Sequence, residues 1–290
     1  MKLKPLSPKL DIIFKKIFSE NKDLLKSLLS AMLDTPIEQM GEVLVLNGEL
    51  MPNDIDGKVS RLDLSAEINQ VKVNIEIQIK QQNDYADRSL YYWAKMYVSD
   101  LKSGASYAKL KKTISINILD FNLLKTDSCH SKVEAIIKET GEKFSDKFEI
   151  HFFELRKLSE ESKIDRKLKL WLRFLKAERE EDFAMLEKEN DVAINKAINV
   201  VHDMSADEKI RQEAWTREKT LNDYYSDMFN AREEGIQEGI EKGIQEGIEK
   251  GIQEGIEKGI EKERMNIIKN LKAMGLSQKD IDRAVNGLSL

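Results

Sequence analysis

Two carboxylates, Asp63 and Glu76, are spaced for chemistry within residues 61–80, which read Arg-Leu-Asp-Leu-Ser-Ala-Glu-Ile-Asn-Gln-Val-Lys-Val-Asn-Ile-Glu-Ile-Gln-Ile-Lys. From 71 to 79 every odd position is Val or Ile, and the even ones are polar. This is the period-two pattern of a strand with one buried face and one face presenting functional groups. Leu62, Leu64, Ala66 and Ile68 make the complementary pattern before it. A two-residue turn at Asn69-Gln70 sets Ile68 against Val71, Ala66 against Val73 and Leu64 against Ile75. It sets Glu67 against Lys72 as an opposite-charge pair, and Asp63 against Glu76. Facing Cβ atoms lie about 5 Å apart, a separation at which like charges are destabilising. A hard divalent cation such as Mg²⁺ removes the conflict, taking both carboxylates together with waters and a backbone carbonyl. Gln78 and Lys80 extend from the same face, placed to orient a water nucleophile or to contact a phosphate. The competing reading is a solvent-facing hairpin with scattered polar residues, and Asn-Gln is a mediocre hairpin turn.

The elements around this hairpin follow from periodicity. Ser7 and Pro8 precede apolar residues at helical spacing over 11–18, predicting a short amphipathic helix with Lys15 and Lys16 turned outward. A second helix is expected over 21–33, a short strand over 42–46 and turns over 52–57. Helical spacing returns over 84–102 and stops at Gly104 as a C-cap. Strands are expected over 113–119 and 148–155, and helix throughout beyond 165, with Ser205 and Glu208 as a capping box. The order predicts an α/β core with a helical extension.

These residues resemble a known family. Asp63 followed by Glu76-Ile-Gln78 on the next strand is similar to the Asp…Glu-x-Lys signature of the PD-(D/E)XK nuclease fold, in the variant where Gln replaces Lys. Asp11-x-x-Phe-Lys15, Lys58-x-x-Arg-x-Asp63 and Arg88-Ser-Leu-Tyr-Tyr-Trp93 resemble the recombination-promoting nuclease family, also described as transposases. The resemblance spans residues 1 to about 230 and implies a restriction-endonuclease-like core with a C-terminal all-helical extension. It implies a metal-dependent DNA endonuclease of recombination and mobile DNA, with Asp63 and Glu76 holding Mg²⁺, Mn²⁺ or Ca²⁺. Gln78 stands where a Lys usually orients the attacking water, and Lys80 is the alternative source of positive charge. Lys15, Lys58, Arg88 and Tyr92 are the expected DNA contacts. Tyr85, Tyr92 and Met96 also fit a core at helical spacing. Asp11 is either a third carboxylate or an N-terminal charge favourable to the helix dipole. The alternative to an enzyme is a nuclease-derived DNA-binding or oligomerising protein whose catalysis has decayed, with Gln78 as its mark.

Composition narrows the remaining classes. The chain has 290 residues, 34% charged, with a net charge of −5. Residues 1–120 carry 17 Lys/Arg against 16 Asp/Glu, so the acidic total does not exclude a nucleic-acid partner. A single cysteine, Cys129, excludes a disulfide framework and a Cys-based zinc site. His130, His151 and His202 have no metal-binding spacing, and no Walker-type loop is present. No apolar run reaches the ~18 residues of a membrane span, and no signal-peptide core follows the basic N-terminus, so a cytoplasmic protein is expected.

Residues 235–258 are three copies of Gly-Ile-Gln-Glu-Gly-Ile-Glu-Lys, followed by a half copy. Seven glycines inside a helix cost about 1 kcal/mol each relative to Ala, far more than a few i,i+4 pairs at ~0.2 to 0.5 kcal/mol return. A stable helix here calls for a partner surface, most simply a second copy; the alternative is a flexible repeat expansion. Two short helices are expected over 265–274 and 277–285, broken at Gly275. The expected divisions are a core over 1–160, a helical extension over 161–230 and the repeat with its closing helices over 231–290.

Overall fold

The structure is a computed structural model that describes residues 4–46, 49–50, 60–61, 63–81 and 84–286. Lys58, Leu62 and the turn-rich stretch 52–57 lie outside the described residues. The described chain forms two compact units, residues 1–219 and 220–290.

In the first unit the elements run α1 (Asp11–Glu20), α2 (Lys22–Met32), β1 (Leu44–Leu46), β2 (Glu49–Leu50), β3 (Ser60–Arg61), β4 (Leu64–Ile68) and β5 (Val71–Gln78). There follow α3 (Tyr85–Val98), β6 (Thr113–Leu119), β7 (His130–Ile136), β8 (Lys143–Glu154), α4 (Arg166–Lys176), α5 (Glu180–Glu187), α6 (Val192–Ala206) and the start of α7 (Glu208–Ala273). Six strands form one sheet in the order β1-β4-β5-β6-β8-β7, and β2 pairs with β3 separately. The β5/β6 and β6/β8 pairs are parallel, the rest antiparallel. The fold is mixed α/β with a helical extension, as the sequence predicts.

The β4/β5 register is the expected one, with Leu64 on Ile75, Ala66 on Val73 and Ile68 on Val71. Asn69 and Gln70 both take positive φ, +50° and +62°, as a type I′ turn requires. Long-range bonds make this poor turn dipeptide work: the Asn69 side chain accepts from Gly41 N–H (2.9 Å) and donates to the Gln39 carbonyl (3.0 Å). A Cβ on Gly41 would collide with Asn69 Oδ1.

Both faces of β5 are covered, which corrects the expectation of one open polar face. On one side Val73, Ile75 and Ile77 are buried, and α1 packs against β5. Aromatic contacts run through the helical layer, Phe14 to Phe18 (4.7 Å between ring centroids), Phe18 to Trp171 (5.6 Å) and Trp171 to Phe174 (5.6 Å). On the other side α3 lies over β5 and β6: Trp93 Nε1–H donates to the Thr113 carbonyl (2.9 Å) and the Tyr85 hydroxyl to Asn117 Oδ1 (3.1 Å). Lys72 is buried there, and its ammonium donates to the Met96 carbonyl (3.0 Å) and Ser99 Oγ (2.9 Å) and pairs with Asp100 (2.7 Å). The expected Glu67–Lys72 ion pair is therefore not the one formed, although the two residues face each other; Glu67 pairs with Lys111 at 2.7 Å.

Three element boundaries differ from expectation. Helix α3 ends at Val98 with Ser99 as C-cap, because Ser99 and Asp100 turn to meet Lys72; Gly104, at φ +78°, serves a later turn. Ser205 lies inside α6, where its hydroxyl donates to the Val201 carbonyl and accepts from Leu6 N–H, so Asp207 caps α7 by accepting from Ile210 N–H (2.9 Å). Strand β7 was not expected, and the strand after it starts at Lys143.

In the second unit α7 continues without interruption to Ala273, so residues 265–274 do not form a separate helix. Gly275 takes φ +83°, and α8 (Gln278–Asn286) follows, capped by Ser277. The seven repeat isoleucines are 46–58% exposed. Nothing lies within 4 Å of a Cβ built on any repeat glycine.

Candidate functional site

The β4/β5 hairpin brings Asp63 and Glu76 together at the point where β4 begins and β5 nears its end. Asp63 Oδ2 accepts from the Ile77 N–H (2.9 Å), and Glu76 Oε1 accepts from the Asp63 N–H (3.3 Å). Each carboxylate thus fixes the other's strand. Asn74, buried on the same face, donates its amide to Glu76 Oε1 (3.2 Å). Its Oδ1 has no hydrogen-bond partner among the described residues.

From the first turns of α3, Arg88 brings a guanidinium to 3.8 Å from Glu76 Oε2. Its position over Tyr92 (5.1 Å to the ring centroid) and Tyr85 (5.8 Å) suits a cation on a π-face. Tyr85 and Met96 are buried and belong to the core, while Tyr92 is half-buried against Arg88. Lys15 is exposed on α1. Gln78 donates its amide to the Lys80 carbonyl (3.2 Å), which places a neutral group two residues beyond Glu76.

Asp11 occupies the first turn of α1 and is gripped by Arg217 of α7, with Nε 2.8 Å from Oδ2 and 3.1 Å from Oδ1. The charges of both residues are felt at Asp63. Arg217 stands 206 positions away in sequence and carries no local signal of this placement. Asn74 shows only as one polar residue in an alternating strand.

The electrostatics of the pair are those of crowded acids with too little positive charge. Removal from water pushes Glu76 up to about 8, the Asp63 charge adds to this, and Arg88 and the Asn74 amide oppose it. Asp63 is pushed up to about 6, again chiefly by burial, against the Ile77 N–H bond that favours its ionised form. Hard oxygen donors in this arrangement suit Mg²⁺, Mn²⁺ or Ca²⁺. Mg²⁺ in particular is commonly held by one or two carboxylates with waters and substrate phosphate. Among the described residues no group of three or more His, Cys, Asp or Glu is arranged to hold a metal, so such an ion would rest on Asp63 and Glu76.

The histidines do not join this site. His130 and His151 are linked ring to ring (2.9 Å), and His151 bonds Glu149 (2.7 Å) on the β7/β8 side of the sheet. Burial and the neighbouring His151 push His130 down to about 4. Cys129 is buried. No helix among the described residues is long and apolar enough to cross a membrane.

Comparison with known proteins returns no match among curated proteins or solved structures. A family model does match, over residues 8–231, a span that holds Asp11, Asp63, Glu76, Arg88 and Arg217 and stops short of the glycine repeat. The chain belongs to the family that this model describes, the PD-(D/E)XK nuclease family transposases.

Proposed function

We propose that the protein is a divalent-cation-dependent DNA endonuclease that hydrolyses phosphodiester bonds in the service of recombination or mobile DNA. The observation that carries this reading is the convergence of Asp63 and Glu76 across the β4/β5 hairpin, both pushed toward protonation. A divalent cation bound there would supply charge neutralisation and polarise a phosphate oxygen. The protein's own groups do the rest. Asn74 and the backbone N–H groups of Asp63 and Ile77 fix the carboxylate oxygens, and Arg88 provides a cation next to Glu76 toward a phosphate. Gln78 and Lys80 stand at the end of β5, where Gln78 can orient water by hydrogen bonding but cannot stabilise charge as an ammonium does. Lys15, Lys58, Arg88 and Tyr92 are the proposed DNA contacts.

The test is incubation of supercoiled plasmid with the full-length protein in Mg²⁺, Mn²⁺ or Ca²⁺, beside Glu76→Ala. Nicking by the wild type, reduced at least about 10³-fold in the variant, is expected. Equal nicking by both would sink the assignment.

A second reading is favoured by Gln78, whose neutral amide is turned to the Lys80 carbonyl. In it, the protein binds DNA and oligomerises without efficient cleavage. It predicts salt-dependent DNA binding with no metal-dependent nicking. The half-exposed isoleucine stripe of α7 is the proposed surface for a second copy. Full-length protein carrying Ile244→Glu, Ile248→Glu and Ile252→Glu is expected to elute as a smaller species than wild type on sizing. Identical elution would remove the tail from the oligomer.

A further inference from the structure

Helix α4 has an unusual division of labour. Its buried residues are Leu168, Leu170, Trp171, Leu172, Phe174 and Leu175. Every other position, Arg166, Lys167, Lys169, Arg173 and Lys176, is cationic and at least partly exposed, and the helix contains no acid. A helix of 11 residues spans about 16 Å, comparable to about four or five phosphates along one strand of duplex DNA at ~3.4 Å of rise each. In a chain of net charge −5, such a face is a local departure from the whole.

The C-terminal end of α4 opens onto a cavity of about 570 Å³, lined among others by Lys9, Asp120, Arg173, Lys176, Arg179 and Asp182. The acids of this cavity are already committed. Asp120 pairs with Lys9 at 2.7 Å, and Glu178 pairs with the same ammonium at 2.6 Å. Asp182 accepts from the N–H groups of Glu178 (3.1 Å) and Arg179 (3.0 Å). The cations are held more loosely: Arg173 is 3.5 Å from Glu189 and Arg179 is 3.7 Å from Asp182. Lys176 is exposed and has no ion pair among the described residues. The lining thus sets four cations, Lys9, Arg173, Lys176 and Arg179, against three acids, Asp120, Glu178 and Asp182, and leaves one positive charge in excess for an incoming anion.

Its position gives the charge a purpose. The Asp120 N–H donates to the Gln78 carbonyl (2.9 Å), so the cavity begins one strand, about 5 Å, from the end of β5. Asp63, Glu76, Gln78 and Asp120 all lie along the edge of the sheet where the parallel strands β5 and β6 end, the edge at which α/β sheets receive ligands. Lys9 ties this edge to the entry of α1.

We infer that the exposed face of α4 and the cavity at its end form a phosphate track for duplex DNA. They would hold the backbone a few nucleotides from the bond placed at Asp63 and Glu76. The inference rests on the reading of DNA as substrate and adds to it where the flanking backbone runs. Contacts of this kind position the duplex without reading sequence, and their loss weakens binding to all sequences alike.

The experiment is fluorescence anisotropy of a labelled 24-base-pair duplex with full-length protein in Ca²⁺, repeated from 50 to 200 mM salt. Lys176→Gln with Arg179→Gln is expected to weaken binding roughly tenfold and to make the dependence of log K on log salt shallower by about 2, one for each lost phosphate contact. Lys102→Gln with Lys138→Gln removes the same charge from exposed positions elsewhere and is expected to leave affinity and slope unchanged. If wild type binds the duplex and the Lys176/Arg179 variant matches it in affinity and slope, the track is wrong and the DNA reading stands. The track is equally overturned if the control pair weakens binding as much. No binding by the wild type removes the track together with the DNA reading.

Discussion

The two units treat charge in opposite ways. Every buried polar or charged side chain among the described residues lies within 1–219, and the charges of the repeat are all exposed. Inside the first unit, two of the three buried carboxylates among the described residues have a close cationic partner. Glu154 meets Lys157 at 2.7 Å, and Glu149 meets Lys112 at 2.8 Å. Burial opposes ionisation at Glu149, yet its bond to His151 and the Lys112 ammonium outweigh this and hold it well below the usual carboxylate range. Glu76 is the contrast, buried with the Arg88 guanidinium 3.8 Å away and a second acid beside it. In the repeat, by comparison, Glu254 meets Lys258 at 3.2 Å and Glu238 meets Lys242 at 3.8 Å, each pair in solvent. A carboxylate is informative where solvation is scarce, and nearly interchangeable where water can replace its partner.

Five substitutions probe this contrast, beginning with the largest effect. Phe174→Ala removes a fully buried ring that touches Trp171 and Phe183, and is expected to cost about 3–5 kcal/mol in urea denaturation followed by tryptophan fluorescence. Ile248→Ala in the repeat is expected to change the same measurement by less than about 0.5 kcal/mol. Equal losses would erase the distinction between the units.

Next comes pH. A carboxyl raised in the folded state binds more protons folded than unfolded, so it weakens stability as pH rises from about 4, with the full penalty present above its folded value. For Glu76 that window ends near 8. Glu76→Gln is therefore expected to raise metal-free stability at pH 8 or above by at least about 1 kcal/mol, and to do little at pH 4. A variant less stable than wild type at pH 8 would contradict the crowded-acid picture. Added Mn²⁺ should raise the wild-type melting temperature and leave the variant much less affected.

Smaller effects belong to the repeat. Gly247→Ala adds a methyl into open space and is expected to stabilise the helix locally by about 1 kcal/mol, seen as slower amide exchange nearby. Faster exchange would mean that the glycine face is covered by a second copy. Smallest of all, Glu254→Gln is expected to cost about 0.2 to 0.5 kcal/mol of helix stability, and 1 M salt should shrink that difference.

The site's register was legible because a period-two strand pair permits one alignment that buries both apolar sets, and a slip by one residue would expose them. What closed over it was not legible. The polar face of β5 alternates as an open face does, and only the placement of α3 buries Lys72, Asn74 and Glu76. Arg217 reaches Asp11 across 206 positions, a pairing that no window of sequence contains. Strand β7 escaped notice because His-Ser-Lys-Val-Glu-Ala-Ile lies at the edge of the sheet, half exposed, without a clear apolar face. At Ser205 a correct local rule met a competing partner: the spacing to Glu208 fits a capping box, but α6 already claims the hydroxyl.

The repeat has a consequence of a mechanical kind. One octapeptide of α-helix advances about 12 Å and leaves a net turn of about 80°, since eight steps of ~100° exceed two full revolutions by that amount. Each copy is then one notch of a gear. Gain or loss of a single copy would re-index α8 against residues 220–234 by both distance and angle, and a loss followed by a gain would restore the original phase. Variation in copy number is thus a coarse adjustment of reach coupled to a fixed rotation, written in identical units.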